Sequence, residues 1–237
     1  MNPRRFSHAD EIWSAHSELA AIAIHAHGIS PDVPSPQAQV AALQAQARAR
    51  LAAQPEGEFP EIQAWRRAFS RMGLKPTQYR CAAESLLRRF RKEDALPALH
   101  PLVDSCNAAS LAFAIPVAVF DLSRVKGSLQ VRPAVGHERY LSFDGEPEQP
   151  APGEVVFADE DGHAHARRWC HRQSAHSAIR AGTAEVLIVA EAMHDGASDD
   201  LLRLQSVLLA LLESMGARVL AARRLERAES ALELAPP

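Results

Sequence analysis

The densest group of side chains with metal-binding or acid–base chemistry lies between residues 163 and 176, in HAHARRWCHRQSAH. On a β-strand, His163 and His165 point to the same face, which is a geometry that metal ions use. Neither C-x-x-C nor H-E-x-x-H spacing accompanies them. The segment therefore predicts no metal site, and a metal-dependent hydrolase stays open only as an alternative. The potential ligands are His163, His165, Cys170, His171 and His176.

The sequence lacks the other common catalytic signatures. It has no glycine-rich phosphate loop, no G-x-S-x-G and no dinucleotide fingerprint, so neither nucleotide hydrolysis nor serine hydrolase chemistry is supported, and no cofactor is predicted. Cys81, Cys106 and Cys170 are widely spaced, which predicts reduced thiols rather than a disulfide framework. Among the remaining polar residues Asn107 stands out, because an amide inside a helical pattern helps neither propensity nor burial.

Positive charge is concentrated between residues 66 and 92. Nine arginines and lysines are opposed there only by Glu84, so the segment carries nine minus one, or +8, in a chain whose formal net charge is -3. Such segregation predicts a surface that attracts phosphate groups, because arginine can contact two phosphate oxygens at once. The alternative is that these residues form the solvated outer faces of two amphipathic helices. The nine are Arg66, Arg67, Arg71, Lys75, Arg80, Arg88, Arg89, Arg91 and Lys92.

Length and composition restrict the class of protein. A chain of 237 residues with 47% hydrophobic and 23% charged residues suits a globular protein with a sizeable core. The net charge excludes a wholly basic protein that wraps nucleic acid. No apolar run approaches the ~18 residues of a membrane span, and the first residues lack the apolar core of a signal peptide. We therefore expect a cytoplasmic protein without a membrane partner.

Helices dominate the first half of the sequence. Residues 18–26 alternate along a short apolar run, which predicts one strand. Apolar residues at helical spacing then predict four helices, bounded by proline and glycine and, for the third helix, by Thr77 as the N-cap. Their predicted ranges are 36–54, 60–73, 77–97 and 101–113.

Short apolar segments punctuated by glycine dominate the second half. The proline-rich stretch 145–154 predicts an exposed connection between two of them. Ser198 is predicted to cap a strongly apolar C-terminal helix, which a short strand follows. The predicted strands are 117–122, 129–134, 154–159 and 184–192.

This order of elements predicts an α+β fold rather than a doubly wound sheet. The strands, mainly within 117–192, are expected to form a mixed β core, with the helices of the N-terminal half packed on one side and a C-terminal helix added. We expect a single domain over residues 1–237, with a helix-rich part at about 30–115 and a β-rich core at about 116–225.

Several motifs of the sequence are distinctive in combination. The run WRRAFSRMGLKPTQYRCAAESLLRRF precedes LPALHPLVDSCNAASLAFAIPVAVFDLSRVKGSLQVRPA, and PGEVVFADEDG and RRWCHRQSAHSAI follow. This combination resembles the free-standing B3/B4-domain proteins, which are similar to the B3/B4 region of the phenylalanyl-tRNA synthetase beta subunit, the host of that enzyme's editing site. The resemblance extends over about residues 15–225 and implies a B3/B4-like fold.

Individual positions match the synthetase pattern. Asn107, Pro116, Phe120 and Asp121 correspond to an asparagine and a later G-Q-P-x-H-x-F-D-like segment, whose histidine falls on Ala118 here. A base or orienting group supplied by that histidine is therefore absent from this chain.

Further matches follow along the sequence. Free-standing members tend to read W-N-x-R-D-S-x-x-T where this chain reads WCHRQSAHS, so their aspartate is replaced by Gln173. Glu138 is the counterpart of an acidic residue before a D-G turn, and Thr183 matches a threonine before the last core strand. Glu191 lies near the family's substrate-discriminating glutamate.

The resemblance implies that the protein recognises the acceptor end of an aminoacylated tRNA and hydrolyses a wrongly attached amino acid in trans. A module that binds tRNA or an amino acid without turnover is the main alternative. The catalytic and anticodon-binding parts of a synthetase are missing, so aminoacylation is not expected. The residues expected to form the site are Asn107, Ser174 and Thr183 for catalysis and Glu138, Arg172 and Glu191 for substrate binding. The positive charge of residues 66–92 predicts that Arg66, Arg67, Arg88 and Arg89 bind the tRNA.

Overall fold

A computed structural model describes residues 4–33 and 35–234 of the chain. Its helices are α1 (Asp10–Ala15), α2 (Gln37–Ala53), α3 (Pro60–Arg71), α4 (Ala82–Glu93), α5 (Pro101–Phe113) and α6 (Ala197–Ser214). Its strands are β1 (Arg5–His8), β2 (Ala20–His27), β3 (Val117–Asp121), β4 (Leu129–Pro133), β5 (Tyr140–Leu141), β6 (Pro147–Glu148), β7 (Val155–Asp159), β8 (Ala164–Arg167), β9 (Arg172–Gln173), β10 (Glu185–Ala192), β11 (Arg218–Leu225) and β12 (Ala231–Glu233). Short 3-10 helices occupy Glu56–Glu58, Leu122–Arg124 and Ala175–Ser177.

Two sheets form the centre of the fold. The four-stranded sheet has the order β11-β2-β10-β3, and each neighbouring pair is antiparallel. The six-stranded sheet has the order β12-β1-β4-β7-β8-β9, in which β1 and β4 form a parallel pair. The chain is therefore α+β with mixed sheets, as the order of predicted elements indicated.

Strand β2 shows how the sequence fixes the layers. Successive side chains of a strand point to opposite faces, and β2 is apolar on both. Ile22 and Ile24 face a core built with α2, α5 and α6, whereas Ala21 and Ala23 face the core shared with the six-stranded sheet. Because both faces are covered, the strand is a nearly continuous apolar run.

Aromatic side chains fill the space between the two sheets. Phe6 of β1 stacks on Phe157 of β7, and Phe120 of β3 lies 5.3 Å from Phe157 between ring centres. Helices α3 and α4 close this core at one end, with Trp65 and Phe90 fully buried. Full burial of one such aromatic side chain contributes about 2–3 kcal/mol to folding.

Three predictions about the elements are wrong. The helices are not all on one side, because α2, α5 and α6 cover the outer face of the four-stranded sheet while α3 and α4 pack against the core between the sheets. Helix α4 begins after Cys81 rather than Thr77, because residues 75–79 form turns instead. Helix α6 begins after Gly196, so Ser198 lies inside it.

The sequence patterns also missed several short strands. Strands β1, β8, β9 and β12 have four residues or fewer, which is too short for an alternation pattern to be recognised. Strand β6 lies inside the proline-rich stretch that was predicted to be only a connection, and it pairs with β5. No helix in the described part of the chain combines the length and apolar character that a bilayer span needs.

Candidate functional site

A cavity of about 50 Å³ lies between the two sheets, beside the first turn of α4. Its walls are mostly apolar because two cross-strand pairs line it. Ala118 pairs with Val189 across β3 and β10, and Phe157 pairs with Ala166 across β7 and β8. The remaining lining residues are Ala82, Pro116, Val117, Trp169, Cys170, Arg172, Gln173 and Glu191.

Glu191 is the carboxylate of this cavity, and its side chain is only 4% exposed. Its Oε1 atom accepts hydrogen bonds from His8 Nε2 at 2.6 Å and from Trp169 Nε1 at 2.9 Å. Among the described residues, no donor reaches the second oxygen, Oε2. A buried carboxylate with an unpartnered oxygen is energetically costly unless a ligand or water supplies a donor.

The three tryptophans of the sequence surround Glu191. Trp169 donates to the carboxylate and lies edge-on to Trp65, with ring centres 5.1 Å apart. Trp13 contacts His8, whose ring centre lies 5.0 Å away. These bulky side chains restrict the rotamers of the groups that hold the carboxylate, so Glu191 is preorganised.

The backbone of the turn between β8 and β9 is strained. Arg168 and Trp169 both have positive φ, at 44° and 58°, although neither is glycine. Each such residue costs roughly 1–2 kcal/mol. The turn places the Trp169 indole against the cavity, where it is not exposed to solvent. The backbone N–H of Trp169 donates to the Val155 carbonyl at 2.7 Å. Strain of this kind is concentrated at functional sites.

Two further side chains define what the cavity can do chemically. Gln173 donates one amide hydrogen to the carbonyl of Val119 at 2.6 Å, which leaves the other hydrogen available. Burial raises the pKa of the Cys170 thiol well above its usual value. Cys170 is therefore protonated at neutral pH and does not serve as a thiolate nucleophile.

The structure brings together only two of the six residues predicted for catalysis and substrate binding. Glu191 and Arg172 both line the cavity, with Arg172 exposed at its mouth. Thr183 precedes β10, at the end of that strand opposite Glu191, roughly 20 Å away. Its hydroxyl donates to Asp121 Oδ2 at 2.7 Å. The prediction that the six residues form one pocket is wrong.

None of the other three residues lines the cavity. The Ser174 hydroxyl donates to the carbonyl of Leu141 at 3.0 Å and accepts from the backbone N–H of the same residue at 3.3 Å. Asn107 faces a groove between α2 and residues 96–98, beyond the outer face of the four-stranded sheet. Neither group reaches the cavity around Glu191.

Glu138 is buried but fully occupied. Its carboxylate accepts from Arg132 at 2.5 Å and from the backbone N–H groups of Val135, Gly136 and His137 at 2.9–3.2 Å. Burial raises its pKa, but the hydrogen bonds from Val135 and Arg132 outweigh that effect and lower the pKa to about 2. No oxygen of Glu138 is left for a substrate amine.

Ion pairs reduce the charge of the predicted basic surface, because three carboxylates outside the segment, Glu18, Glu56 and Glu93, contact its arginines. Arg66 makes a two-point contact with Glu84, at 2.7 and 3.2 Å. Arg88 pairs with Glu56 at 3.4 Å. Further pairs are Arg91 with Glu56, Arg89 with Glu93, and Arg71 with Glu18. The three outside carboxylates lower the local charge from +8 to +5, and Arg67 is exposed and has no carboxylate partner among the described residues.

The histidine cluster does not assemble a metal centre in the described part of the chain. His163 stacks on His176 with ring centres 4.3 Å apart, and His165 lies 3.2 Å from Asp159. A different group, formed by Glu61, His194 and Asp200, brings three ligand atoms within 4.8 Å of one another. Arg50 already bonds both oxygens of Glu61 and Arg203 contacts Asp200, so these residues fit an ion-pair network rather than a cation site.

Sequence reasoning missed His8 and the role of Trp169. His8 lies 183 positions from Glu191 and belongs to a four-residue strand that was not predicted. No spacing in the sequence connects the two residues. Trp169 was noted only as part of a motif, and its contact with Glu191 depends on the unusual backbone of the turn.

The architecture defines the class of protein as an α+β fold whose two sheets enclose a mostly apolar cavity with one buried carboxylate. The model of the B3/4 domain matches residues 64–208, and the chain belongs to this family. The matched region contains every residue that lines the cavity, whereas His8 lies outside it.

Comparison with solved structures finds a similar chain described as an N-terminal fragment of the phenylalanyl-tRNA synthetase beta subunit from Pyrococcus horikoshii. The two chains share 8% sequence identity with a TM-score of 0.48. The similarity covers 90% of this chain and 49% of the fragment, so the chain spans about half the length of that relative. No curated protein matches the sequence.

Proposed function

We propose that the protein hydrolyses the ester of a misacylated tRNA, with Glu191 binding the ammonium group of the attached amino acid. The observation that supports this most is the unpartnered Oε2 of Glu191 in a cavity whose other walls are mostly apolar. Such a site suits a ligand with one positive group and a small apolar portion. Membership of the B3/4 family agrees with a tRNA-related function.

The chemistry requires little from the protein, because an aminoacyl ester is already activated. Water attacks the ester carbon, the carbonyl electrons form an oxyanion, and collapse of this intermediate releases the amino acid and the 3′ hydroxyl of the tRNA. The second amide hydrogen of Gln173 is the donor we assign to the oxyanion. Glu191 fixes the substrate so that its carbonyl faces this donor.

This assignment replaces Asn107, Ser174 and Thr183, whose side chains lie elsewhere or are already bonded. With Ala118 in place of the family's histidine, the cavity holds no group suited to act as a strong general base. Turnover is therefore expected to be slow and to depend on orientation of the substrate and water.

The test is a panel of mischarged tRNAs incubated with wild-type protein and with Glu191→Gln. Loss of the charged hydrogen bond to the substrate is worth about 1.5–3 kcal/mol, or roughly 10–100-fold in kcat/KM. Glu185→Gln is the matched control, since Glu185 is on the same strand and also pairs with a buried histidine, His25, at 2.8 Å. We expect the deacylation rate of Glu185→Gln to stay within about twofold of wild type.

One result would assign the binding alternative instead. If the wild-type protein binds mischarged tRNA and protects its ester from hydrolysis, the protein is a non-catalytic binding module. Equal losses in Glu191→Gln and Glu185→Gln would show that the cavity carboxylate has no special role.

A further inference from the structure

Three arginines and one histidine lie at or beside the mouth of the cavity, and of these only Arg80 belongs to the basic segment 66–92. These groups, here called the rim, are Arg80, Arg168, His171 and Arg172. Two hydrogen bonds join the segment around Arg80 to the turn that carries the other three residues. His171 Nδ1 contacts the Arg80 carbonyl at 2.7 Å, and Ala82 N–H donates to the Cys170 carbonyl at 2.8 Å. Ala82, Cys170 and Arg172 themselves line the cavity. The rim is therefore continuous with the proposed site.

Two rim arginines keep their charge available. Arg172 is exposed and forms no ion pair with the described residues. Arg80 lies 3.4 Å from Glu84, but that carboxylate is already bound in a two-point contact by Arg66. One carboxylate thus serves two arginines, which leaves an uncompensated positive charge beside α4.

Arg168 adds a third guanidinium on a rigid support. It lies over the ring of Tyr79, 4.6 Å from the ring centre, and within the described part of the chain the carboxylate that it pairs with, Glu154, is 4.0 Å away. Glu154 is bound more closely by Arg167, at 2.8 Å. Tyr79 also contacts the edge of His171 at 5.4 Å. The Tyr79 ring therefore holds the Arg168 guanidinium and the His171 ring in place beside the opening.

The electrostatic effect of this arrangement is visible at His171. Burial lowers its pKa, and the positive charges of Arg172, Arg168 and Arg167 lower it further. The position of three guanidinium groups near one opening favours an anion there. Exposed arginines near an aromatic ring suit a phosphodiester chain, because guanidinium contacts phosphate oxygens in pairs.

We infer that the rim binds phosphates of the single-stranded 3′ end of an acceptor RNA and directs that end toward Glu191. The inference rests on the proposed function for its choice of RNA, and it moves the expected RNA contact from Arg66, Arg88 and Arg89 to the mouth of the cavity. The paired arginines would have to break contacts with Glu84, Glu56 and Glu93 before binding phosphate. Arg172 has no such contact to break.

The experiment measures the affinity of an uncharged acceptor-stem minihelix with a single-stranded 3′ end, by fluorescence anisotropy over a range of salt concentrations. Arg172→Gln should weaken binding about tenfold at low salt and reduce the slope of log Kd against log salt by roughly 0.7, the value for one phosphate contact on a single strand. Arg172→Lys should recover most of the affinity because it keeps the charge. A blunt-ended duplex of the same sequence should not distinguish Arg172→Gln from wild type.

Arg218→Gln is the matched control. Arg218 is also exposed, begins an edge strand, and pairs in register with His27 at the opposite end of the four-stranded sheet from Glu191. We expect it to change neither affinity nor salt slope. Equal effects of the two substitutions, equal sensitivity of the blunt duplex, or binding of inorganic phosphate as tight as that of the RNA end would overturn the inference.

The two proposals fail separately. If wild-type protein hydrolyses mischarged tRNA but Arg172→Gln binds the minihelix normally, the rim assignment is wrong and the hydrolase proposal stands. If Arg172→Gln loses affinity while the wild type hydrolyses no mischarged tRNA, the rim assignment stands and the hydrolase proposal is wrong.

Discussion

Strand β10 carries a histidine–carboxylate pair near each end, and the two pairs differ in their surroundings. Glu191 pairs with His8 of the other sheet, whereas Glu185 pairs with His25 of the neighbouring strand in the same sheet. Both histidine side chains are completely buried. The cavity between the sheets is lined by Glu191 and not by Glu185.

Side-chain size explains where the space remains. On the inner face of β3, Ala118 pairs with Val189 near Glu191, and Phe120 pairs with Leu187 nearer Glu185. The Phe120 ring fills the space between the sheets, while the methyl group of Ala118 does not. A buried acid next to a histidine is thus not sufficient to indicate a site. The space beside it and the unpartnered oxygen are what distinguish Glu191.

Filling the cavity should have the largest effect. Ala118→Leu places a side chain in the space of about 50 Å³, so we expect deacylation to fall at least about a hundredfold, with a loss of roughly 1–3 kcal/mol in stability from overpacking. Deacylation of mischarged tRNA and chemical denaturation measure the two effects. Unchanged deacylation in folded Ala118→Leu protein would place the active site elsewhere.

A third buried carboxylate extends the comparison to pH. Glu138 has a pKa of about 2 in the folded protein, against 4.5 for an ordinary glutamate. Because the folded pKa is lowered, its ionised form stabilises the protein above about pH 4.5, and this contribution disappears as the pH falls toward 2. Glu138→Gln should therefore lower the free energy of unfolding by about 3 kcal/mol at pH 7, at 1.36 kcal/mol per pKa unit.

Urea denaturation at several pH values checks this prediction. The difference between wild type and Glu138→Gln should shrink steadily below about pH 4.5. Deacylation per folded molecule should remain near the wild-type value. A large loss of activity in fully folded Glu138→Gln would instead support the original assignment of Glu138 to substrate binding.

A smaller effect is expected at the Glu185 end of β10. Thr183→Val removes the donor to Asp121 Oδ2, which is 2.7 Å away, so we expect a loss of about 1–2 kcal/mol in stability. Deacylation should not change, because the hydroxyl lies far from the cavity. Thermal unfolding and single-turnover deacylation of the same preparation separate the two readouts. A normal melting temperature with impaired deacylation would indicate that Thr183 acts in catalysis.

The smallest effect is expected outside the core between the sheets. Asn107→Ala alters a groove beside α2 and should leave RNA binding, deacylation and stability within experimental error of wild type. A selective loss of deacylation in this variant would mean that the substrate reaches the outer face of the four-stranded sheet.

Periodicity predicted much of the fold because it depends on local sequence. The strand at 18–26 and the helix at 101–113 correspond closely to β2 (Ala20–His27) and α5 (Pro101–Phe113). Both have regular apolar patterns that match burial in the structure. Short strands and the exact starts of α4 and α6 depend on tertiary contacts, so local patterns could not locate them.

The site was harder to predict than the fold, and the reasons are physical. Family motifs identified Glu191 and Arg172, but they said nothing about which polar atoms would already be bonded. Ser174 and Thr183 look reactive in the sequence, yet their hydroxyls anchor backbone and side-chain groups in the structure. The charge of residues 66–92 was overestimated because carboxylates distant in sequence, such as Glu56, contact these arginines.

The positions of the tryptophans make intrinsic fluorescence a probe of the cavity. Trp13, Trp65 and Trp169 are the only three in the chain, and each lies within two contacts of Glu191. Tryptophan emission should therefore report almost entirely on this one region, without any attached dye. The edge-on Trp65–Trp169 pair has its ring centres 5.1 Å apart, which is close enough for the two indoles to couple in far-ultraviolet circular dichroism. The proposed binding of an ammonium group at Glu191 should therefore change the tryptophan emission of the unmodified protein.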